Sequence, residues 1–186
     1  PGGGVIEISV LSKLTVNGDI SANGRSGSAH AGGSSGGSIL INTNEIEGNG
    51  TIRTNGGNGD GNGGGGGGGR IALYYSNNID FPLDGDHLQS RGGQGGWVPS
   101  LYGGPGTVYL EQVGVDESFG AHLYIDNFSR NNGTQAGLTQ GDYKFETITL
   151  VRNGNLKVMG QTSNIEITSE EAIIGDSSRP SFIIEG

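Results

Sequence analysis

The side chains with chemistry to offer are few and unevenly placed. Asp84, Asp86 and His87, with Asp80 shortly before them, form the densest polar cluster in the chain. Close pairs of aspartates are what a polysaccharide hydrolase uses. One carboxyl of raised pKa protonates the leaving oxygen, and a second, about 6.5–9.5 Å away, activates water. Such pairs project from stacked strands that fix their separation. Here they crowd a stretch containing Pro82 and Gly85, which favours a solvated turn or a cation site. Trp97, the single tryptophan, offers a flat face, either as a cap over the neighbouring glycines or as a ligand platform.

Asp60 lies in Gly56-Gly57-Asn58-Gly59-Asp60-Gly61-Asn62-Gly63, a wording close to the glycine-aspartate nonapeptide whose turns bind Ca²⁺. That repeat places its Asp one residue later, follows it with an apolar residue and recurs in tandem, so a plain solvated turn competes. Asp60, Asp84 and Asp86 are therefore the calcium candidates, and Ca²⁺ is the one cofactor suggested. His30, His87 and His122 show no metal-ligand spacing, and there is no cysteine. Gly24-Arg25-Ser26-Gly27-Ser28 is followed by no helix, as a nucleophile elbow would require. Asn49-Gly50-Thr51, Asn127-Phe128-Ser129 and Asn132-Gly133-Thr134 fit the glycosylation acceptor pattern. No catalytic residue is assigned, and the chain reads as a non-enzyme.

What must position these groups is an unusual alternation of glycine and strand. Seven consecutive glycines, 63–69, run directly into Arg70-Ile71-Ala72-Leu73-Tyr74-Tyr75, where apolar residues recur with period two. The same unit precedes Val5-Ile6-Glu7-Ile8, Ser38-Ile39-Leu40-Ile41 and Thr107-Val108-Tyr109-Leu110. With 40 glycines in 186 residues and 31% hydrophobic content, a thick layered core is out of reach, and a thin elongated one is expected. Irregular glycine spacing and only 5 prolines exclude collagen. A net charge of −9 with scattered cations argues against nucleic acid. No apolar run approaches a membrane span. The chain opens at Pro1 without an initiator Met or a signal-peptide pattern, as expected of a segment of a longer protein.

Laying residues 36–59 under residues 3–27 pairs Ile39 with Ile6, Ile41 with Ile8 and Ile52 with Ile20, an offset of about 32–33 residues, in the range of solenoid repeats. Strands are expected at 5–10, 13–16 and 19–22, with Asn17-Gly18 either a hairpin turn or the left-handed corner of a coil. Residues 76–97 are expected to leave the third copy as a long excursion, and a fourth copy begins at Thr107. Ile6, Ile8, Ile39, Ile41, Ile71, Leu73, Val108 and Leu110 should point inward and stack in rows. The glycine run should pack its backbone against residues 24–37 or 92–106. Residues 1–105 then form coils with long loops, and 106–186 form tighter coils of roughly 17–20 residues on the same core. In these, Ile148 would pair with Ile165 and Leu156 with Ile173.

Gly36-Gly37-Ser38-Ile39-Leu40-Ile41, Gly48-Asn49-Gly50-Thr51-Ile52, the glycine run with its strand, and Gly104-Pro105-Gly106-Thr107-Val108-Tyr109-Leu110 resemble the glycine-rich β-solenoid segments of very large bacterial secreted or surface proteins, many of them adhesin-like. Leu123-Tyr124-Ile125-Asp126-Asn127 and Asn155-Leu156-Lys157-Val158 are similar to segments that follow in such proteins. The resemblance implies an all-β, right-handed parallel β-helix (β-solenoid) with long glycine-rich loops, exposed outside the cell or on its surface. Its implied role is structural, in adhesion, a matrix or a filament, with neighbouring segments of the same protein as partners. The rival readings are a polysaccharide-binding module and a fragment of a β-helical carbohydrate-active enzyme.

Overall fold

The computed structural model describes residues 1–98, 101–114, 120–129, 135–139, 141–159, 164–167, 173–175 and 181–185. The period-two runs become strands: β1 (Val5–Thr15), β2 (Asp19–Ser21), β3 (Ser38–Glu47), β4 (Thr51–Arg53), β5 (Arg70–Asp80), β6 (Leu88–Gln89) and β7 (Thr107–Gln112). β1, β3, β5 and β7 pair in parallel in one sheet, and β2, β4 and β6 in another. Neighbours align 33 residues apart (Ile6 with Ile39), then 32 (Ile39 with Ile71), then 37 (Ile71 with Val108). The expected rows follow: Ile6, Ile39, Ile71 and Val108 in one, Ile8, Ile41, Leu73 and Leu110 in the next. From Ile39 onward these side chains are buried, and they share one cluster with Ile46, Ile52, Phe81 and Leu88, while Ile6 and Ile8 pack on it partly exposed. Parallel pairing brings like residues into contact at equal offsets, so each repeat extends the previous one's core.

Three details depart from expectation. First, 5–10 and 13–16 are one strand, with a register shift between Val10 and Lys13. The shift recurs between Thr43 and Glu45 in β3, where the Thr43 hydroxyl donates to the Glu45 carbonyl at 2.8 Å. Second, Asn17-Gly18 makes no hairpin, because β1 and β2 lie in different sheets. The left-handed residue at the corresponding corner of the next repeat is Gly48, at φ +115°, where a Cβ would sit 2.2 Å from the Val16 carbonyl oxygen. Third, the stretch 76–97 departs from the coil only after Gln89, where its glycines join the outward segments. Ser76–Asp80 completes β5, with Ile79 opposite Ile46, and Leu88 pairs with Ile52. Ile79 and Leu88 supply the apolar rungs that keep this stretch on the core.

The glycine-rich segments form their own layer. Segments 22–28, 54–60 and 89–96 run outward from the sheets, and 31–37, 63–69 and 101–106 return. Hydrogen bonds between them step by three residues: Gly24 and Gly27 donate to the Asn55 and Asn58 carbonyls, Gly33 and Gly36 to Gly64 and Gly67, Gly65 and Gly68 to Leu101 and Gly104. Within one excursion, Gly63, Gly66 and Gly69 donate back to Asp60, Gly57 and Thr54. Three residues per turn without internal hydrogen bonds is the habit of polyproline-II-type chain, and a bundle of such chains can bond sideways only where backbones touch. A Cβ on Gly66 would stand 2.0 Å from the Ser34 carbonyl oxygen, and one on Gly68 2.0 Å from that of Ser90. Close approach, with no positive φ anywhere in 63–69, is what demands glycine.

The second half comprises β8 (Ala121–Asp126), β9 (Ala136–Leu138), β10 (Asp142–Phe145), β11 (Thr147–Val151), β12 (Asn155–Met159), β13 (Asn164–Ile167), β14 (Ile173–Gly175) and β15 (Ser181–Glu185). Pairing is again parallel, β8 with β11 and β14, β9 with β12 and β15, and β10 with β13. Leu123 aligns with Ile148 and Ile148 with Ile173, 25 residues apart, while Tyr143 aligns with Ile165, 22 apart, and Leu156 with Ala136, 20 apart. The pairings of Ile148 with Ile165 and of Leu156 with Ile173 do not occur. Short apolar runs of period two match one another at several offsets, and the path of the intervening chain selects among them.

β7 and β8 pair antiparallel, the one reversal in the seven-stranded sheet. Tyr109, between the inward Val108 and Leu110, comes opposite Leu123. Leu123 and Ile125 head a second buried cluster with Ala136, Phe145, Ile148, Leu150 and Leu156. The two cores therefore lie on opposite faces of the shared sheet. Tyr109 packs on the second cluster and Tyr124 on the first.

Candidate functional site

The acidic cluster is built into the seam between the halves. Asp84 Oδ1 accepts hydrogen bonds from the Asp86 and His87 backbone N–H groups, both at 2.9 Å, and lies 2.7 Å from His87 Nδ1. Burial works against its ionisation, but these bonds prevail and hold its pKa below the usual carboxylate value. Asp86 Oδ1 meets Arg91 at 2.9 Å and Arg152 at 3.5 Å. Arg152 also grips the buried Asp126 through both Nε and Nη2, and the Arg91 guanidinium lies 3.9 Å over the Phe128 ring. Asp84 thus closes the turn at 84–87, while Asp86 and Arg91 tie the segment to Arg152 after β11 and to Asp126 at the end of β8.

Asp60 stands elsewhere, at the tips of the glycine hairpins, where its Oδ2 accepts the His30 backbone N–H at 3.1 Å. Ala29 and His30 have positive φ there, as does Gly61. Trp97 is 70% exposed and meets His30 edge-on at 5.0 Å. It tops the row of tips rather than capping the layer. Among the described residues, no three Asp, Glu or His side chains gather as a metal site. His122 Nδ1 lies 2.8 Å from the Thr147 hydroxyl. Of the acceptor sequences, Asn127 is fully buried, the Asn49 backbone N–H donates to Asn17 Oδ1 at 3.3 Å, and Asn132 lies outside the described residues.

Asparagines one repeat apart also serve the glycine layer. Asn23 Oδ1 accepts the Asn55 N–H at 2.6 Å and Asn55 Oδ1 accepts the Arg91 N–H at 2.9 Å. Beside them, Asn58 Oδ1 accepts the Gln94 N–H at 2.8 Å. This ladder satisfies backbone donors that glycine chains cannot pair among themselves.

The concave surface with binding character is a groove of about 460 Å³ between the outer face of β5 and β7 and the strand β10. Alternation puts Arg70, Ala72 and Tyr74 on the face opposite Ile71 and Leu73, and Thr107 and Tyr109 opposite Val108 and Leu110. The reversal at β8 then carries Tyr143 and Phe145 over that face. Tyr74 and Tyr109 lie 5.7 Å apart at 57°, Tyr109 and Phe145 6.3 Å apart at 68°, and Tyr143 stacks on Phe145 at 6.1 Å and 6°. The Tyr109 hydroxyl donates to Glu111 Oε2 at 2.6 Å, and the Tyr143 hydroxyl to the Thr139 carbonyl at 2.9 Å. Burial, then Glu111, pushes the Tyr109 hydroxyl far above its ordinary pKa, and the same pair of causes raises Tyr74. Arg70, Asp142 and Lys144 are exposed at the rim. Among the described lining residues Asp142 has the one carboxylate.

None of the groove's aromatic residues stood out in the sequence. Tyr74 and Tyr109 were readable as outward positions of their strands, but nothing local signalled that β10 would cover them. Comparison with known proteins adds nothing to this geometry: no family model, no curated protein and no solved structure matches the chain.

Proposed function

We propose that this chain is a structural segment of a large extracellular or cell-surface protein, a parallel β-solenoid whose coils are the 32- to 37-residue repeats and whose glycine hairpins stack as a second layer beside the sheets. The observation that carries the reading is the constant register of the inward rows, Ile6–Ile39–Ile71–Val108 and Ile8–Ile41–Leu73–Leu110. A scaffold built this way grows by adding repeats, because each new rung meets the same surface as the last. The polar ladders support the same reading: Asp19 holds Thr51 and Arg53 of the next repeat, and Lys13 bonds Glu47 at 2.9 Å. The densest acidic cluster is likewise committed to ion pairs and turns. The sequence wording shared with surface-protein segments supports the location.

The test is repeat insertion. Three further copies of residues 38–69 placed between Gly69 and Arg70 should fold cooperatively, melt no lower than the parent and lengthen the particle by about 14 Å in solution scattering, one strand spacing per copy. A longer chain that aggregates or gains no length removes the solenoid reading. Antibodies against the segment should label intact cells, and labelling only after lysis removes the surface location.

A further inference from the structure

We propose that the aromatic groove at the junction of the two halves binds a single strand of neutral polysaccharide. The site is separate from the acidic cluster and from Trp97, and it does not depend on the scaffold reading. Tyr74, Tyr109 and Tyr143 contribute aromatic surface to one trough, with Ala72 leaving the floor low between them. The C–H bonds of a sugar ring carry partial positive charge and seat on the negative face of an aromatic ring, while the hydroxyls point outward to the rim. Arg70, Asp142 and Lys144 supply donors and an acceptor at that height.

Arg70 and Thr107 also line a second depression of about 240 Å³, together with Gly37, Gly69 and Gly106. With no side chain on those glycines the floor stays flush, so a ligand can extend across several sugar units. The two depressions are of the size that holds extended ligands. Two observations choose the occupant. A chain of net charge −9 repels polyanions. The rim sets the Asp142 carboxylate beside the cations Arg70 and Lys144, so its polar groups can both donate to and accept from hydroxyl groups.

The experiment is affinity electrophoresis of the full chain through gels containing a neutral glucan, a neutral galactomannan or the polyanion polygalacturonate. Retardation by at least one neutral polymer is expected. Tyr74→Ala should weaken it about tenfold or more. Ala72→Gln, which fills the floor while keeping Tyr74, should weaken it comparably, and exposed Arg70→Ala should weaken it with the melting temperature unchanged. Trp97→Ala should bind as the parent does. Failure of every neutral polymer to retard the parent overturns the proposal. So does retardation by polygalacturonate alone, or loss of binding on Trp97→Ala while Ala72→Gln and Arg70→Ala bind normally.

Discussion

Tyr109 on β7 stands directly opposite Leu123 on β8, so the outer face of the first set of repeats is continuous with the core face of the second. Replacing Leu123 by Ala leaves a cavity in the second cluster and should cost about 2–5 kcal/mol there. Because that core is on the other side of the sheet, hydrogen exchange should speed up in β10–β12 and stay slow in β3 and β5. Leu73→Ala should do the reverse. Equal loss of protection in both halves after either substitution would mean that the two clusters behave as one.

Within the glycine run, tolerance should follow the three-residue period. A Cβ on Gly66 meets the Ser34 carbonyl oxygen at 2.0 Å, whereas one on Gly67 finds nothing nearer than the Gly104 carbonyl oxygen at 3.9 Å. Gly66→Ala should therefore lower stability by more than about 1 kcal/mol, and Gly67→Ala should be neutral or raise it by about 0.4–1 kcal/mol through the unfolded chain's entropy. Urea denaturation of the two variants decides this. Identical midpoints would show that the backbones do not touch as described.

Asp126 is 4% exposed and neutralises Arg152 and, more distantly, Arg91. Asp126→Asn leaves Asp86 as the one carboxylate shared by Arg91 and Arg152 and removes the buried acceptor of the Arg152 bonds, which should cost about 1–3 kcal/mol. Asp126→Asn combined with Arg152→Met should recover part of that loss. A double variant as unstable as the sum of the singles would rule out the pairing as the source.

Stability should fall at both ends of the pH scale. The hydrogen bond from Arg53 holds Asp19 below its ordinary pKa, and His87 helps to do the same for Asp84. For a depressed carboxyl, the stabilisation is complete above the unfolded value, about pH 4, and is lost as pH drops through the folded value. Both groups are more than a third exposed, so each contributes modestly. In the other direction, burial and then the Asp126 charge push the Tyr124 hydroxyl up to about 12. That contribution is complete below about pH 10 and is lost as pH climbs towards the folded value. Melting temperatures should be level between these limits, and Asp19→Asn should soften the acid limb. An acid limb unchanged by that substitution would remove Asp19 from the account.

The sequence alone determined where β1, β3, β5 and β7 begin and which of their first side chains face inward. Period-two alternation leaves one face apolar, and a one-residue slip would put Ile39 and Ile41 in water, so composition and register were legible together. The need for bare backbone at Gly66 and Gly68 was legible too, because seven glycines have no core to offer except contact with their own kind. What only the tertiary structure decided is the direction of pairing after β7. Parallel and antiparallel ladders share the same period, so the alternation in Thr107–Gln112 and Ala121–Asp126 is silent about which one forms. That reversal sets Leu123 against Tyr109, moves the second core to the opposite face and brings Phe145 against Tyr109, with Tyr143 beside it. The groove exists only because contacts distant in sequence chose among pairings that locally were equivalent.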